Sequence, residues 1–234
     1  MQQAILPTVA CGIYKPKPPL KIMGTISKGI LGGFSGKVGT VVGGNWKGID
    51  YMRSKSSFKN QNPSEAQLAQ QLKFGMCIRF VQSMSGLLEL TFNSYAVKKT
   101  GVNSAMSYTL KNAVTGTYPV FSIDYTSVLV SRGDLPNVLA PAITMGAGSQ
   151  LVFSWTDNSG VGIAKAGDKA LAAAFCPELN QAIYITSGAD RDELTETLNL
   201  VSFSGKTVET YLGFISEDGR NVASSIYTGS VLVS

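Results

Sequence analysis

The chain has 234 residues, of which 44% are hydrophobic and 15% charged, and its net charge is +5. That composition is globular and argues against disorder throughout. Histidine is absent, which excludes a Ser-His-Asp or Cys-His triad, a His-ligated zinc and a His general base built from this chain alone.

Residues 1–22 carry Lys15-Pro16-Lys17-Pro18-Pro19, a stiff extended segment with no means of packing a core. The N-terminus lacks the basic and long apolar regions of a conventional signal peptide, and the apolar run before Thr8-Val9-Ala10-Cys11 is too short for a lipoprotein signal. No run approaches the ~18–20 apolar residues of a membrane span. A cytoplasmic location and export by a non-classical route both stay open. Met23-Gly24 opens a new composition, which makes Met23 a candidate start codon. The three cysteines, Cys11, Cys77 and Cys176, form neither a disulfide framework nor a CxxC pair. Cys77 and Cys176 are expected as small buried hydrophobes.

Nine glycines lie within 24–48, among Ile26, Ile30, Leu31, Phe34, Val38, Val41, Val42 and Trp46. This is too apolar for a flexible linker, so the glycines are expected to admit tight turns and close backbone approach. A β-hairpin is expected from Thr40-Val41-Val42 and Ile49-Asp50-Tyr51-Met52-Arg53, turning at Gly43-Gly44-Asn45. A phosphate-loop reading of 33–39 fails because Val38, not Ser or Thr, follows Gly36-Lys37.

Asn62-Pro63-Ser64-Glu65 reads as N-cap, proline at N1 and glutamate at N3. Leu68, Leu72, Met76, Phe80 and Met84 then recur at helical spacing, predicting an amphipathic helix that ends near Ser85-Gly86. Gly75 inside it marks either a cost or a close helix contact. A second helix is expected over 87–97 and a third over 103–114, capped at Asn103 or Ser104.

From Tyr118 the periodicity changes to two. Strands are expected at 120–123, 127–130, 151–155, 170–175, 182–186, 197–200, 208–215 and 225–233, with turns at Arg132-Gly133-Asp134, Asp157-Asn158-Ser159-Gly160, Ser187-Gly188 and Glu217-Asp218-Gly219. That is the pattern of a β-sandwich of the immunoglobulin/fibronectin III-like kind, with Trp155 and Tyr211 as core aromatics. The expected fold class is therefore α+β. It comprises an extended segment 1–22, a basic Gly-rich and helical domain 23–116, and an acidic β-sandwich domain 117–234.

The two halves differ in charge. Residues 1–116 hold 14 Lys/Arg against 3 Asp/Glu, a net +11, and residues 117–234 hold 6 against 12, a net −6. Such polarity suits head-to-tail contact between copies, closing into rings or running on as filaments. The candidate contacts are Lys28, Lys37, Lys47, Arg53 and Lys55, facing Asp190, Asp192, Glu193, Glu217 and Asp218. The alternative partner is nucleic acid, held without sequence preference by the basic half with Phe34, Trp46, Tyr51 and Phe58 interleaved. Trp46 and Tyr51 are, however, expected to fill a small core.

No catalytic residue, cofactor or metal is expected. The acidic runs at Asp190-Arg191-Asp192-Glu193 and Glu217-Asp218 lack the calcium-loop pattern and read as solvated loops. A hydrolase would have to rest on carboxylates such as Asp50 and Glu65. The leading expectation is a non-enzymatic structural or interaction protein.

The run from Met23 to Gly39, MGTISKGILGGFSGKVG, continues through Trp46-Lys47-Gly48-Ile49-Asp50-Tyr51-Met52-Arg53, Asn62-Pro63 and Lys73-Phe74. It resumes in Val222-Ala223-Ser224-Ser225-Ile226-Tyr227-Thr228-Gly229. Over 23–234 the chain resembles an uncharacterised family common in Bacteroidota. The resemblance implies no activity, but it makes the glycine run a defining structural device.

Overall fold

A computed structural model describes residues 25–26, 32–46, 48–55, 62–95 and 99–234, with 25, 26 and 95 in backbone only. Segment 1–22, Met23, Lys28, Lys47 and Phe58 lie outside the described residues. Contacts divide the chain into Met1–Asn62 and Pro63–Ser234. The boundary expected at 116/117 falls instead inside a hairpin of the second unit, because the helices share their core with the sheet that follows them.

In the first unit the expected hairpin is part of a four-stranded antiparallel meander, β1 (Thr25–Ile26), β2 (Phe34–Val38), β3 (Val41–Trp46) and β4 (Ile49–Ser54), in that order. The turn expected at 43–45 lies within β3. Trp46 pairs with Ile49, so the chain reverses between them, and Gly48 takes φ +84°. Gly43 serves close approach instead: a Cβ there would collide with the carbonyl and ring of Phe34.

The second unit opens with α1 (Glu65–Ser83), α2 (Ser85–Thr91) and α3 (Gly101–Asn112). The cap of α1 is Ser64, not Asn62. The Gln67 amide nitrogen donates to Ser64 Oγ at 3.4 Å, and the Ser64 amide donates to Gln67 Oε1 at 3.0 Å. This Ser-x-x-Gln box satisfies two orphan donors at once, leaving Pro63 before the cap. The second helix is shorter than expected: a 3₁₀ turn at Asn93–Tyr95 follows it, and the Thr91 hydroxyl lies 2.9 and 2.8 Å from the Leu87 and Val130 carbonyls. The cap of α3 is Thr100, whose hydroxyl accepts from the Asn103 amide at 3.2 Å.

A hairpin follows, β5 (Val114–Thr117) with β6 (Val120–Ile123). Residues 127–130 form no strand. Asp124 accepts from the Thr126 amide at 3.1 Å and fixes a 3₁₀ turn, Tyr125–Ser127, after which Val128 and Val130 enter the core. The remaining strands are β7 (Leu139–Met145), β8 (Gln150–Thr156), β9 (Lys169–Cys176), β10 (Gln181–Ile185), β11 (Thr195–Asn199), β12 (Thr207–Ile215) and β13 (Ile226–Leu232). They form two antiparallel sheets, ordered β11-β8-β7 and β10-β9-β12-β13. Strand β7 escapes the sequence reading because Pro141 and a register shift between Leu139 and Ala142 break its alternation, which only an edge strand tolerates.

Strand β9 explains the layering. Its run Ala170 to Cys176 is almost fully buried, with no polar alternation. Ala170, Ala172, Ala174 and Cys176 pack with Leu151, Phe153 and Trp155 of the facing sheet. Leu171, Ala173 and Phe175 pack with Cys77, Phe80 and Met84 under the helices. A strand covered on both faces is apolar throughout, so this unit has three layers: helices, a four-stranded sheet and a three-stranded sheet. Trp155 and Tyr211 are buried as expected, on opposite sides of the middle sheet. Trp155 packs edge-on to Phe214 at 5.2 Å, and the Tyr211 hydroxyl donates to the Tyr125 carbonyl at 3.0 Å. The turn 132–134 is tied into the fold through Gly133, which abuts the Val222 carbonyl.

Candidate functional site

The meander brings three of the expected cations to one face. Lys37 pairs with Val42, and Val42 with Arg53, so the three share one cross-strand row. Lys55 lies two residues beyond Arg53 on the same side, its amide donating to the Thr40 carbonyl at 2.7 Å. The same alternation places Gly44, Trp46, Ile49 and Tyr51 on that face. Trp46 and Tyr51 do not fill a core: they are 56% and 47% exposed, and every described residue of β4 is exposed. The exposed Trp46, Ile49 and Tyr51 give this cationic face apolar area for a partner. Asp50 belongs to the opposite face, where it accepts from Asn45 Nδ2 at 2.8 Å. Glu65 stands in the first turn of α1, in the other unit.

All five expected acids are described, and loops gather them at one end of the second unit. Asp190 pairs with Lys169, and the Glu193 carboxylate accepts from the Asp190 amide at 3.2 Å. Asp190, then Glu193 and Glu217, raise the affinity of Lys169 for its proton. Asp218 is held below the usual carboxylate range, first by the Ser216 hydroxyl at 2.6 Å and then by the Arg220 amide. Asp192, Glu193, Glu217 and Asp218 are exposed. Beside them a depression of about 590 Å³ is lined by Ile163, Lys165, Ser216, Glu217, Asp218 and Asn221.

Arg191 departs from the sequence reading. It does not belong to a solvated loop but is fully buried beneath the acids. Its guanidinium pairs with buried Asp168 at 3.1 Å, donates to Asn158 Oδ1 at 2.7 Å and to the Pro136 carbonyl at 3.0 Å, and lies 4.5 Å from the Phe214 ring centroid. The lone cation inside an acidic run was the available signal. The network pins the acidic loop to the 158–168 loop. Among the described residues no group of three Cys, Asp or Glu side chains is placed to hold a metal, and no helix is long and apolar enough to cross a membrane.

Divided where contacts divide it, the chain keeps its polarity. Residues 1–62 carry a net +8 and residues 63–234 a net −3. Fold and sites together define a protein of helices and antiparallel sheets with a cationic strand face and an anionic loop end. The chain belongs to a family of unknown function (DUF6266), whose model matches residues 33–229. No curated protein matches it. Among solved structures it is similar to the fn3 domain of human collagen alpha-1(XX) chain, at 9% identity and a TM-score of 0.33, over 44% of this chain and 90% of that one.

Proposed function

We propose that this protein is a non-enzymatic interaction module that associates with copies of itself, the cationic face of one meander meeting the anionic loop end of another. The observation that carries the reading is the gathering of charge. Lys37, Arg53 and Lys55 share one face of the meander, and two separate loops bring Asp190, Asp192, Glu193, Glu217 and Asp218 together. A heterologous contact of this kind closes into a ring or runs on as a filament. The second unit is read as a fibronectin III-like sandwich with helices over its four-stranded sheet. Its strand order supports this, with β7, β8 and β11 on one sheet and β9, β10, β12 and β13 on the other. Sedimentation velocity of the full chain at about 25 mM and about 500 mM salt tests the self-association, because exposed charges are screened at the higher value. Oligomers at low salt that dissociate at high salt are expected. A monomer at low salt and high concentration ends the reading.

The exposure of Trp46 and Tyr51 beside Lys37 and Arg53 favours a second reading, in which the same face stacks bases and tracks a phosphate backbone. Gel shifts with single- and double-stranded DNA over a salt series test it, and no shift near physiological salt dismisses it.

A further inference from the structure

The depression beside the acids has walls of different chemistry. Ile163 and Lys165 come from the loop between β8 and β9, and Ser216, Glu217, Asp218 and Asn221 from the turn between β12 and β13. Both walls are fixed in advance. Arg191 holds Asn158 and Asp168, near the two ends of the first loop, and the Gly160 amide donates to the Ala164 carbonyl at 2.9 Å. The Ser216 amide donates to the Asn221 carbonyl at 2.8 Å, and the Asn221 amide to Ser216 Oγ at 2.9 Å. Ile163 is nonetheless 53% exposed, an apolar side chain on a preorganised loop beside charges. The lining holds a cation as well as acids, and this selects what enters. A seated lysine or arginine would face Lys165, whereas the π face of an aromatic ring attracts an ammonium group and its apolar area suits Ile163. The cationic face of the meander carries two rings beside Lys37 and Arg53. Tyr51 lies across its own sheet: a Cβ on Gly44 would come 2.8 Å from the Tyr51 hydroxyl oxygen. Trp46, the last residue of β3, is the more exposed of the two.

We propose that the depression seats Trp46 of a second copy of this chain, its ring against Ile163 and Lys165 and its N–H donating to a carboxylate of the turn. The inference rests on the self-association proposed above and names the group that fixes its register. Opposite charges bring the two surfaces together, and the seated ring aligns them.

The test is acrylamide quenching of tryptophan fluorescence in the full chain over a protein dilution series at about 25 mM salt, where exposed charges are little screened, with sedimentation velocity alongside. The chain has two tryptophans and Trp155 is buried, so quenchable emission reports Trp46, and Trp46→Ala supplies the Trp155 baseline. Quenching of Trp46 should fall as oligomers form and return on dilution. Ile163→Ser and Trp46→Ala should each weaken association by about tenfold or more, as truncating a central anchor or its pocket does. Val201→Ser, exposed outside the depression, should leave it unchanged. Circular dichroism checks that the variants are folded. Oligomers in which Trp46 stays fully quenchable, or which form with equal affinity in Ile163→Ser, overturn the inference and leave the charge contact standing. A monomer at low salt ends both. Protection of Trp46 that persists in the diluted monomer places the ring against its own chain and also overturns the inference.

Discussion

Arg191 is the largest fully buried side chain described, and its position decides the stability of the loop end. Removing it leaves Asp168 buried without a counter-charge, and Asp168 Oδ1 already has no hydrogen-bond partner. Arg191→Ala should therefore cost about 3–5 kcal/mol in urea unfolding, whereas Arg191→Met combined with Asp168→Leu should recover much of that loss. A cost of the single change below about 1 kcal/mol would contradict the buried pair. Burial also sets the alkaline limit of the fold. It pushes the Cys77 thiol from 9.0 to about 11, raises Tyr211, and with help from the Glu209 carboxylate takes Tyr227 from 10.0 to about 12. Each group releases its proton more readily when unfolded, so the unfolded chain binds fewer protons and stability falls as pH rises from about 9 toward 11. The urea midpoint should drop over that range, and both Cys77 and Cys176 should resist thiol reagents until the chain unfolds.

Two glycines separate what an element tolerates from what its packing forbids. A Cβ on Gly75, midway along α1, would meet nothing within 4 Å. Gly75→Ala should therefore stabilise by up to about 1 kcal/mol through helix propensity. Gly101, at the start of α3, would place its Cβ 2.7 Å from the Leu88 and Glu89 carbonyls of α2. Gly101→Ala should destabilise, because backbone cannot yield as a side chain does. Thermal unfolding of both variants should move in opposite directions. Of the two readings of Gly75, a cost or a close helix contact, the open space around it leaves the cost, and the close contact occurs at Gly101, a position that depends on how α2 and α3 cross.

At the scale of the whole molecule, charge reversal tests the proposed contact from both sides. Arg53→Glu with Lys55→Glu should abolish low-salt association, and Asp192→Lys with Glu217→Lys should do the same. Mixing the two double variants should restore it, because the contact is attractive only between opposite signs. All four side chains are exposed, so the fold should be unaffected. Sedimentation velocity of each variant and of the mixture reads the outcome, and a mixture that stays monomeric counts against the contact.

Much of the local chemistry was legible in the amino-acid order. Seven of the strands in the second unit follow alternation or a short apolar run, and all three helices fall near their predicted positions, because period and turn residues act within a few positions of one another. The caps moved by two to four residues, since Ser64 and Thr100 compete with other good capping residues nearby and the choice rests on which hydroxyl reaches an amide. Burial was decided only by tertiary structure. Trp46 and Tyr51 look like core and are exposed, while Arg191 looks solvated and is buried. The reason is that burial belongs to the layers above and below a residue: no described residue of the meander covers the first pair, and two loops and a phenylalanine close over the arginine.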